Sequence, residues 1–325
     1  MKNDQKFFQQ NPFFTFFRHN AGVLLGVVGL CIIMSFASPY FMTKANILNV
    51  FMQISTNTIA AFGMTLVILT GGIDLSVGSL QALTGMTVAV LITNLGIPVP
   101  LAVLIGILVG LACGLFNGTI IAFTKMPEFI VTLAMMTIAR GLAYIVGDGK
   151  PTRVSDDSFN QLGAGFLGPI GLPIIYMFVI MALLWYFLNR TKTGRHIYAV
   201  GGNKEAALYS GISIAKVQII VFSLSGLLSG FTGVVLTARM YTGQPAIGNG
   251  AELDAIAATV LGGTSMAGGA GTLGGTLIGA LIIGIMGNGL NLLNISSFMQ
   301  MVVKGFVILV AVFIDTFRKK SSKGI

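Results

Sequence analysis

The sequence predicts an all-α integral membrane protein, a polytopic bundle of about ten transmembrane helices with an internal repeat. Hydrophobic residues make up 54% of the 325 residues and charged residues only 9%, whereas about 25% of the residues in an average soluble domain are charged. Ten apolar segments are long enough to cross the roughly 30 Å hydrocarbon core of a bilayer. The 43 glycines often recur at four-residue spacing, which suits helices that pack closely in lipid.

The apolar segments follow one another without a linker or a low-complexity tract, so we expect a single transmembrane domain over residues 1–325. In chain order, the predicted spans are 22–38, 46–70, 73–94, 100–124, 127–147, 172–189, 216–239, 252–268, 270–293 and 297–316. The segments at 46–70 and 252–268 are the two that might instead be broken or re-entrant helices.

The net charge is +9, and most of the basic residues fall into four clusters between the apolar segments. The clusters are Lys2, Lys6 and Arg18; Lys125; Arg190 to Lys204; and Arg318 to Lys323. Basic loops stay on the cytoplasmic side of a membrane, and ten spans threaded from a cytoplasmic N-terminus put all four clusters there. We therefore predict cytoplasmic segments at 1–20, 190–215 and 317–325, and an external loop at 148–171. The charge indicates topology rather than nucleic-acid binding.

Glycines line one side of three predicted spans. The stripes are Gly106, Gly110, Gly114 and Gly118 on the fourth span, Gly226 and Gly230 on the seventh, and Gly271, Gly275 and Gly279 on the ninth. Residues four apart stack along a helix, so each stripe is a smooth groove for a neighbouring helix. Tight packing is the simpler interpretation; the alternative is that these faces slide past one another.

An internal repeat is visible at an offset of 197 residues. The matched triplets and pairs are Ile59-Ala60-Ala61 with Ile256-Ala257-Ala258, Gly71-Gly72 with Gly268-Gly269, and Gly78-Ser79-Leu80 with Gly275-Thr276-Leu277. The copies are displaced by six spans, which predicts a parallel repeat. Chance matches among common residues remain the alternative; a true repeat would fit transporters, whose pathway lies where two repeats meet.

Charged residues inside apolar spans require an explanation, because inserting each charge into a membrane costs about 2.5–3.5 kcal/mol of free energy on insertion scales. One interpretation is mutual neutralisation, with Asp74 paired to Arg140 or Lys304. The other is a polar pathway for a hydroxyl-rich solute. The candidate pathway residues are Gln53, Asn57, Asp74, Asn117, Arg140, Asn288, Asn291 and Lys304.

The sequence lacks the motifs expected for nucleotide hydrolysis, metal binding or nucleophilic catalysis. No phosphate-binding G-x-x-x-x-G-K-[ST] motif occurs, since Gly149-Lys150 is followed by Pro151. His19 and His196 stand alone in basic loops, and Cys31 and Cys113 lie in apolar stretches. No metal ligand set, disulfide framework or nucleophile motif can be assembled. We therefore predict that the chain is not an enzyme, hydrolyses no ATP itself and holds no cofactor or metal.

The stretch from Arg190 to Ile212 is the one long basic interval between strongly apolar segments. Within it, Asn203 is a good helix N-cap, Glu205 would lie in the first turn, and Gly211 would end the helix. Ala206 and Ala207 would give this helix a slim face able to enter a groove. The pattern E-A-A-x-x-x-G in such a loop resembles the coupling loop of ABC importer permeases.

The resemblance extends over nearly the whole chain and is closest to the bacterial ABC permeases of the ribose, xylose, arabinose and galactose group. It rests on GMTLVILTGGIDLSVGS at 63–79, YAVGGNKEAALYSGI at 198–212, ELDAIAATVLGGTSMAGGAG at 252–271 and GNGLNLL at 287–293. One departure concerns the coupling motif: Val221-Phe222-Ser223-Leu224 carries no proline where broader ABC importers often have Ile-x-Leu-Pro.

The resemblance implies a multi-pass permease of the bacterial cytoplasmic membrane that imports a monosaccharide. It implies three partners: a second permease copy in a homodimer, a cytoplasmic ATPase with two nucleotide-binding halves, and a periplasmic or lipid-tethered binding protein. The residues that it implies for ATPase coupling are Gly201, Gly202, Asn203, Glu205, Ala206, Ala207 and Gly211.

Other functions stay open at this point. Within the same mechanism, the alternative solutes are a branched-chain amino acid, a cyclitol and a furanosyl signalling molecule. An ion-coupled secondary transporter is a second class, although proton relays usually use several intramembrane carboxylates and Asp74 is the foremost one here. A membrane enzyme is the least supported class, because no paired catalytic groups can be found.

Overall fold

The computed structural model describes the backbone of residues 12–322 and the side chains of residues 22–310, Val312 and Phe313. The side chains of the basic clusters predicted at 1–20 and 317–325 lie outside the described residues. The helices of the described part are α1 Pro12–Ala37, α2 Lys44–Leu69, α3 Val77–Thr93, α4 Val99–Thr124, α5 Glu128–Val146, α6 Asp157–Ala164, α7 Leu172–Arg190, α8 Lys192–Gly202, α9 Lys204–Tyr209, α10 Ile214–Met240, α11 Ala251–Leu261, α12 Leu273–Leu292 and α13 Ser297–Ser322.

Polar caps set where several of these helices begin. The side chain of Thr43 accepts a hydrogen bond from the amide of Asn46 at the start of α2, and Thr272 does the same for Gly275 at the start of α12. Such caps satisfy backbone amides that have no partner within the helix.

Six helices of the described residues are long and apolar enough to cross a membrane: α2, α4, α5, α7, α10 and α12. Shorter apolar helices lie at Gly22–Ala37, Val77–Thr93 and Ser297–Val310. The predicted class, a polytopic helical membrane protein, is therefore confirmed.

The two segments predicted as weak spans behave differently. The segment at 46–70 forms one continuous helix, α2, whereas the segment at 252–268 does not form one helix. Helix α11 has 11 residues, which span only about 16 Å. It stops because Gly263, directly after the C-cap residue Gly262, adopts a positive φ angle of 86°, a conformation that ends a helix.

The core lies around α10, which packs against both α2 and α3. These three helices also pack against most of the other helices. Side chains along α2, such as Ile59 and Phe62, are fully buried. Helices α4, α5 and α7 instead expose large apolar side chains along one side, including Leu104, Ile145 and Leu183. A side of this composition fits contact with lipid.

The glycine stripes form backbone-to-backbone contacts between helices. A Cβ atom at Gly110 of α4 would lie 2.6 Å from the carbonyl oxygen of Gly226 and 2.8 Å from the Cα atom of Gly230, both in α10. In the same way, a Cβ at Gly279 of α12 would overlap the carbonyl oxygen of Ala258 in α11. The prediction of tight packing is confirmed for these helices.

The loops divide between two faces of the bundle. One face, here the α8–α9 face, carries α8, α9, the α2–α3 turn at 70–76, the α4–α5 turn at 125–127 and the glycine-rich loop at 262–272. The opposite face, here the β-strand face, carries 147–171 and 241–250. There β1 (Thr152–Arg153) pairs with β4 (Thr242–Gly243), and β2 (Phe166–Leu167) pairs with β3 (Ile170–Gly171). The loops predicted at 190–215 and 148–171 therefore lie on opposite faces.

The arrangement of α2–α3 and α11–α12 fits a parallel repeat. Helices α2 and α11 both end toward the α8–α9 face, and α3 and α12 both start from it. The glycine pair of each copy lies at that face, where the amide of Gly269 donates a hydrogen bond of 2.9 Å to the carbonyl oxygen of Leu69.

Candidate functional site

Helix α9 forms at the place that the sequence predicts. The side-chain oxygen of Asn203 accepts a 2.9 Å hydrogen bond from the amide of Ala206, and Glu205 lies in the first turn. At the other end, Gly211 has a φ of 79°, and its amide donates to the carbonyl oxygen of Leu208 at 2.9 Å. A glycine with positive φ ends helices in this way because it has no Cβ to clash.

The two sides of α9 have different surroundings. Ala207 is only 4% exposed and packs in a hydrophobic cluster with Ile121 and Val217. The prediction that Ala206 and Ala207 together form a slim exposed face is therefore wrong for Ala207, which attaches α9 to the bundle. The side that points away from the bundle carries Leu208, which is 57% exposed, and Tyr209, which is 90% exposed.

The end of α8 is wedged between two glycine turns, one at Gly71-Gly72 after α2 and one at Gly268-Gly269 after α11. A Cβ at Gly201 would overlap the carbonyl oxygen of Leu69 and lie 2.5 Å from the amide nitrogen of Gly269. A Cβ at Gly268 would lie 2.9 Å from both the Gly201 Cα and the Gly71 nitrogen. We call Leu69, Gly71, Gly201, Gly268 and Gly269 the glycine junction. It joins α8 to the turns that follow α2 and α11 without intervening side chains.

Tyr198 adds a side-chain contact from α8 to the same region. Its hydroxyl donates a hydrogen bond of 3.0 Å to the carbonyl oxygen of Gly271. Burial raises the pKa of Tyr198, so the hydroxyl stays protonated and able to donate at neutral pH. Movement of α8 is thereby linked to the loop that connects α11 and α12.

Glu128 links α9 to α5 and α10. Its Oε1 lies 3.3 Å from the Lys204 Nζ and accepts a 2.9 Å hydrogen bond from the Gln218 Nε2. These three side chains and Lys125 border a cavity of ≈ 630 Å³ beside α9. The α8–α9 segment thus contacts the bundle through the glycine junction, Tyr198, Ala207 and the Lys204–Glu128 ion pair.

Asp74 is fully buried but has no cation partner among the described side chains. Its Oδ1 accepts hydrogen bonds from the amide and the hydroxyl of Ser76 at 3.0 and 2.6 Å, and its Oδ2 accepts from the Ser225 hydroxyl at 2.7 Å. Asn117 donates to the Ser76 hydroxyl at 3.2 Å. The predicted pairing of Asp74 with Arg140 or Lys304 is wrong, because three local donors satisfy the carboxylate. Asp74 instead joins the start of α3 to α4 and α10.

The two intramembrane cations have their own partners near the β-strand face. Arg140 donates from Nη1 to the carbonyl oxygens of Pro245 and Ile247 at 2.6 and 2.8 Å. Lys304 lies 2.7 Å from the Oδ2 of Asp254. Arg140 therefore holds the loop at 241–250, and Lys304 links α13 to α11.

Two of the predicted pathway asparagines also connect helices. Asn288 exchanges two hydrogen bonds with Asn46, at 3.0 and 2.8 Å, and Asn291 accepts one from Gln300 at 2.8 Å. These amides are satisfied by neighbouring helices.

A second cavity, which we call the polar cavity, opens near the β-strand face and has a volume of ≈ 430 Å³. Its polar lining residues are Gln53, Thr56, Asn57, Gln81, Arg239, Asn249 and Asp254. The structure brings Gln53 and Asn57 together here, but Asp74, Asn117, Arg140, Asn288, Asn291 and Lys304 do not line the cavity. The sequence analysis did not identify Gln81 and Arg239 as candidates. Gln81 could have been identified because it is a polar residue inside an apolar span.

Comparison with known proteins gives consistent matches. Residues 46–312 match the family described as branched-chain amino acid transport system / permease component. The ribose import permease protein of Bacillus subtilis is 48% identical over 303 residues, which cover 93% of each chain. The ribose import permease protein of Haemophilus influenzae is 45% identical and covers 98% of each chain. The D-allose transport system permease protein of Escherichia coli is 39% identical, covering 94% of this chain and 95% of its own. No solved structure matches.

Proposed function

This chain belongs to the family of branched-chain amino acid transport system permease components, and on that basis we propose that it is the membrane-spanning subunit of an ABC importer for a ribose-like monosaccharide. The observation that carries the proposal is similarity to ribose import permeases over almost the whole chain. The structure supports it with a bundle of apolar helices and a polar cavity. In this proposal, residues 1–325 are one permease domain, and transport involves no covalent chemistry.

We further propose that a separate ATPase drives transport through the α8–α9 segment. The exposed Tyr209 and Leu208 would contact the ATPase, while Glu205 adds a negative charge at the helix start. Because the glycine junction leaves no space between α8 and the two glycine turns, a displacement of α8 must move one or both turns. The remaining proposed partners are a second permease copy, in a homodimer, and a periplasmic or lipid-tethered sugar-binding protein.

The proposed setting is the bacterial cytoplasmic membrane, with the α8–α9 face and both termini in the cytoplasm. Lys125, Lys192, Arg195, Lys204 and Lys216 lie on or next to that face, as basic residues on the cytoplasmic side would. Ten apolar helical segments would then enter the bilayer, of which α11 reaches only about halfway.

Reconstitution tests the proposed function directly. Vesicles that contain this permease, the ATPase and the binding protein encoded with it should accumulate D-ribose only when ATP reaches the ATPase. The same vesicles should not accumulate L-leucine. Leucine uptake would favour the amino-acid alternative, and ribose uptake driven by an ion gradient without ATP would favour a secondary transporter.

Orientation can be tested with two matched serine-to-cysteine variants after Cys31 and Cys113 are replaced. Ser158 and Ser210 are both exposed, and each hydroxyl makes one local hydrogen bond. An impermeant maleimide should label Ser158→Cys in spheroplasts but not Ser210→Cys. Inside-out vesicles should give the opposite result. Labelling of Ser210→Cys in intact spheroplasts would invert the proposed topology.

A further inference from the structure

The polar cavity has the size and the chemistry of a binding site for a small solute. Its volume of ≈ 430 Å³ lies within the range of about 300–1,000 Å³ found for ligand pockets. The lining comes from α2, α3, α10, α11 and the loop at 241–250. The cavity therefore lies among α2, α3, α10 and α11, where movement of these helices against one another would change its shape.

One acceptor in the lining has no protein partner. Gln81 is 1% exposed, and its Oε1 makes no hydrogen bond within the described part of the chain. A buried polar atom without a partner costs about 1–3 kcal/mol, and native proteins rarely leave one unexplained. Gln81 belongs to the lining, so its side chain brings an unpaired acceptor to the edge of the cavity.

The two charged groups of the lining are held in place by neighbouring side chains. The Oδ2 of Asp254 lies 2.7 Å from the Lys304 Nζ and forms an ion pair. The guanidinium of Arg239 keeps its positive charge, and its Nη2 donates to the Asn49 Oδ1 at 2.9 Å. Neutral hydroxyls, each able both to donate and to accept, fit amide and hydroxyl groups such as those of Gln53, Thr56 and Asn57.

We propose that the polar cavity is a sugar-binding site of the permease itself, with the Gln81 Oε1 accepting a hydrogen bond from a ring hydroxyl of a monosaccharide. This inference rests on the proposed function as a sugar importer and adds where the chain contacts its substrate. Selectivity is then shared between the binding protein and these permease side chains.

A pair of glutamine-to-leucine variants tests the role of Gln81 in the reconstituted complex. Gln81→Leu should raise the half-saturating concentration for D-ribose uptake, or lower the maximal rate, by about fivefold or more, because one hydrogen bond to the sugar is lost. Gln161→Leu, on the exposed β-strand face, should transport like the wild type. The melting temperature of Gln81→Leu should equal or exceed that of the wild type, because the replaced oxygen has no protein partner. A purely structural glutamine would instead give a lower melting temperature.

Thiol protection gives a second, independent measurement. With Cys31 and Cys113 replaced, Asn57→Cys places a thiol in the cavity lining, and D-ribose should slow its reaction with a small maleimide. The exposed Ser158→Cys should react at a rate that ribose does not change. Protection by L-leucine and not by ribose would overturn the proposed ligand class.

The outcomes separate this inference from the proposed function. Wild-type vesicles that show no ATP-driven ribose uptake would contradict the proposed function. ATP-driven uptake that is unchanged by Gln81→Leu, together with no protection of Asn57→Cys by ribose, would overturn the cavity assignment alone.

Discussion

Gly201→Ala is expected to abolish ATP-driven uptake, whereas Gly202→Ala is expected to leave it near the wild-type level. A Cβ at Gly201 would overlap the carbonyl oxygen of Leu69 and crowd the amide of Gly269. These are backbone atoms, so no flexible side chain can move aside to make room. At Gly202 the added Cβ would meet nothing within 4 Å. Comparing the two variants therefore shows whether loss of uptake comes from the steric overlap at Gly201 or from a general effect of alanine on α8.

Uptake, ATPase activity of the assembled complex and membrane abundance should be measured for both variants. Gly201→Ala should remain in the membrane but support less than a tenth of wild-type uptake. Tyr198→Phe provides a milder test, because it removes only the hydroxyl that donates to Gly271. That loss of about 0.5–1.5 kcal/mol should lower the sugar moved per ATP hydrolysed while the ATPase still binds. Normal uptake by Gly201→Ala would show that the glycine junction does not transmit movement.

The features that the sequence predicts well depend on neighbours along the chain. The start of α9 at Asn203 and its end before Gly211 follow from capping chemistry within a few residues. The packing role of the glycine stripe on α4 follows from four-residue spacing. In both cases the determining contacts are either local or made by the backbone, so the identity of the partner is not needed.

Predictions that required knowledge of a distant partner were less accurate. Asp74 was expected to need a cation, but Ser76 and Ser225 supply its donors, and Lys304 pairs with Asp254 instead. Charge alone does not reveal which opposite charge lies nearby once the chain folds. The sequence indicates that 252–268 is a possible broken helix, but it does not give the length of α11, because average hydropathy contains no information on the backbone angle of Gly263.

The orientation of α9 is another property that composition could not give. The helix has only 6 residues, which are too few to show a hydrophobic periodicity. The sequence therefore does not indicate whether Ala207 or Tyr209 faces the bundle. The structure buries the small residue and exposes the aromatic one. The proposed contact with the ATPase therefore shifts from the alanines to Leu208 and Tyr209.

Tyr209→Ala is accordingly expected to release the ATPase while leaving the permease folded. An exposed tyrosine on a protruding helix is the kind of residue that contributes most to a protein interface, with losses of about 2 kcal/mol or more on truncation. Such a loss lowers affinity by roughly thirtyfold or more. The side chain is 90% exposed, so its removal takes no packing from the bundle.

Tyr40→Ala is the matched control, because Tyr40 is 68% exposed and lies at the β-strand face, away from α9. Co-purification of the ATPase with the permease and ATP-driven uptake should both fall sharply for Tyr209→Ala and stay unchanged for Tyr40→Ala.

Ala207→Leu should differ from both: it adds bulk to a buried contact with Ile121 and Val217, so it should lower the melting temperature of the permease itself. If Tyr209→Ala retains the ATPase and imports sugar at the wild-type rate, the exposed side of α9 is not the ATPase contact. Since Ala207 holds the opposite side of this helix in the bundle, that result would contradict the proposed coupling role of α9.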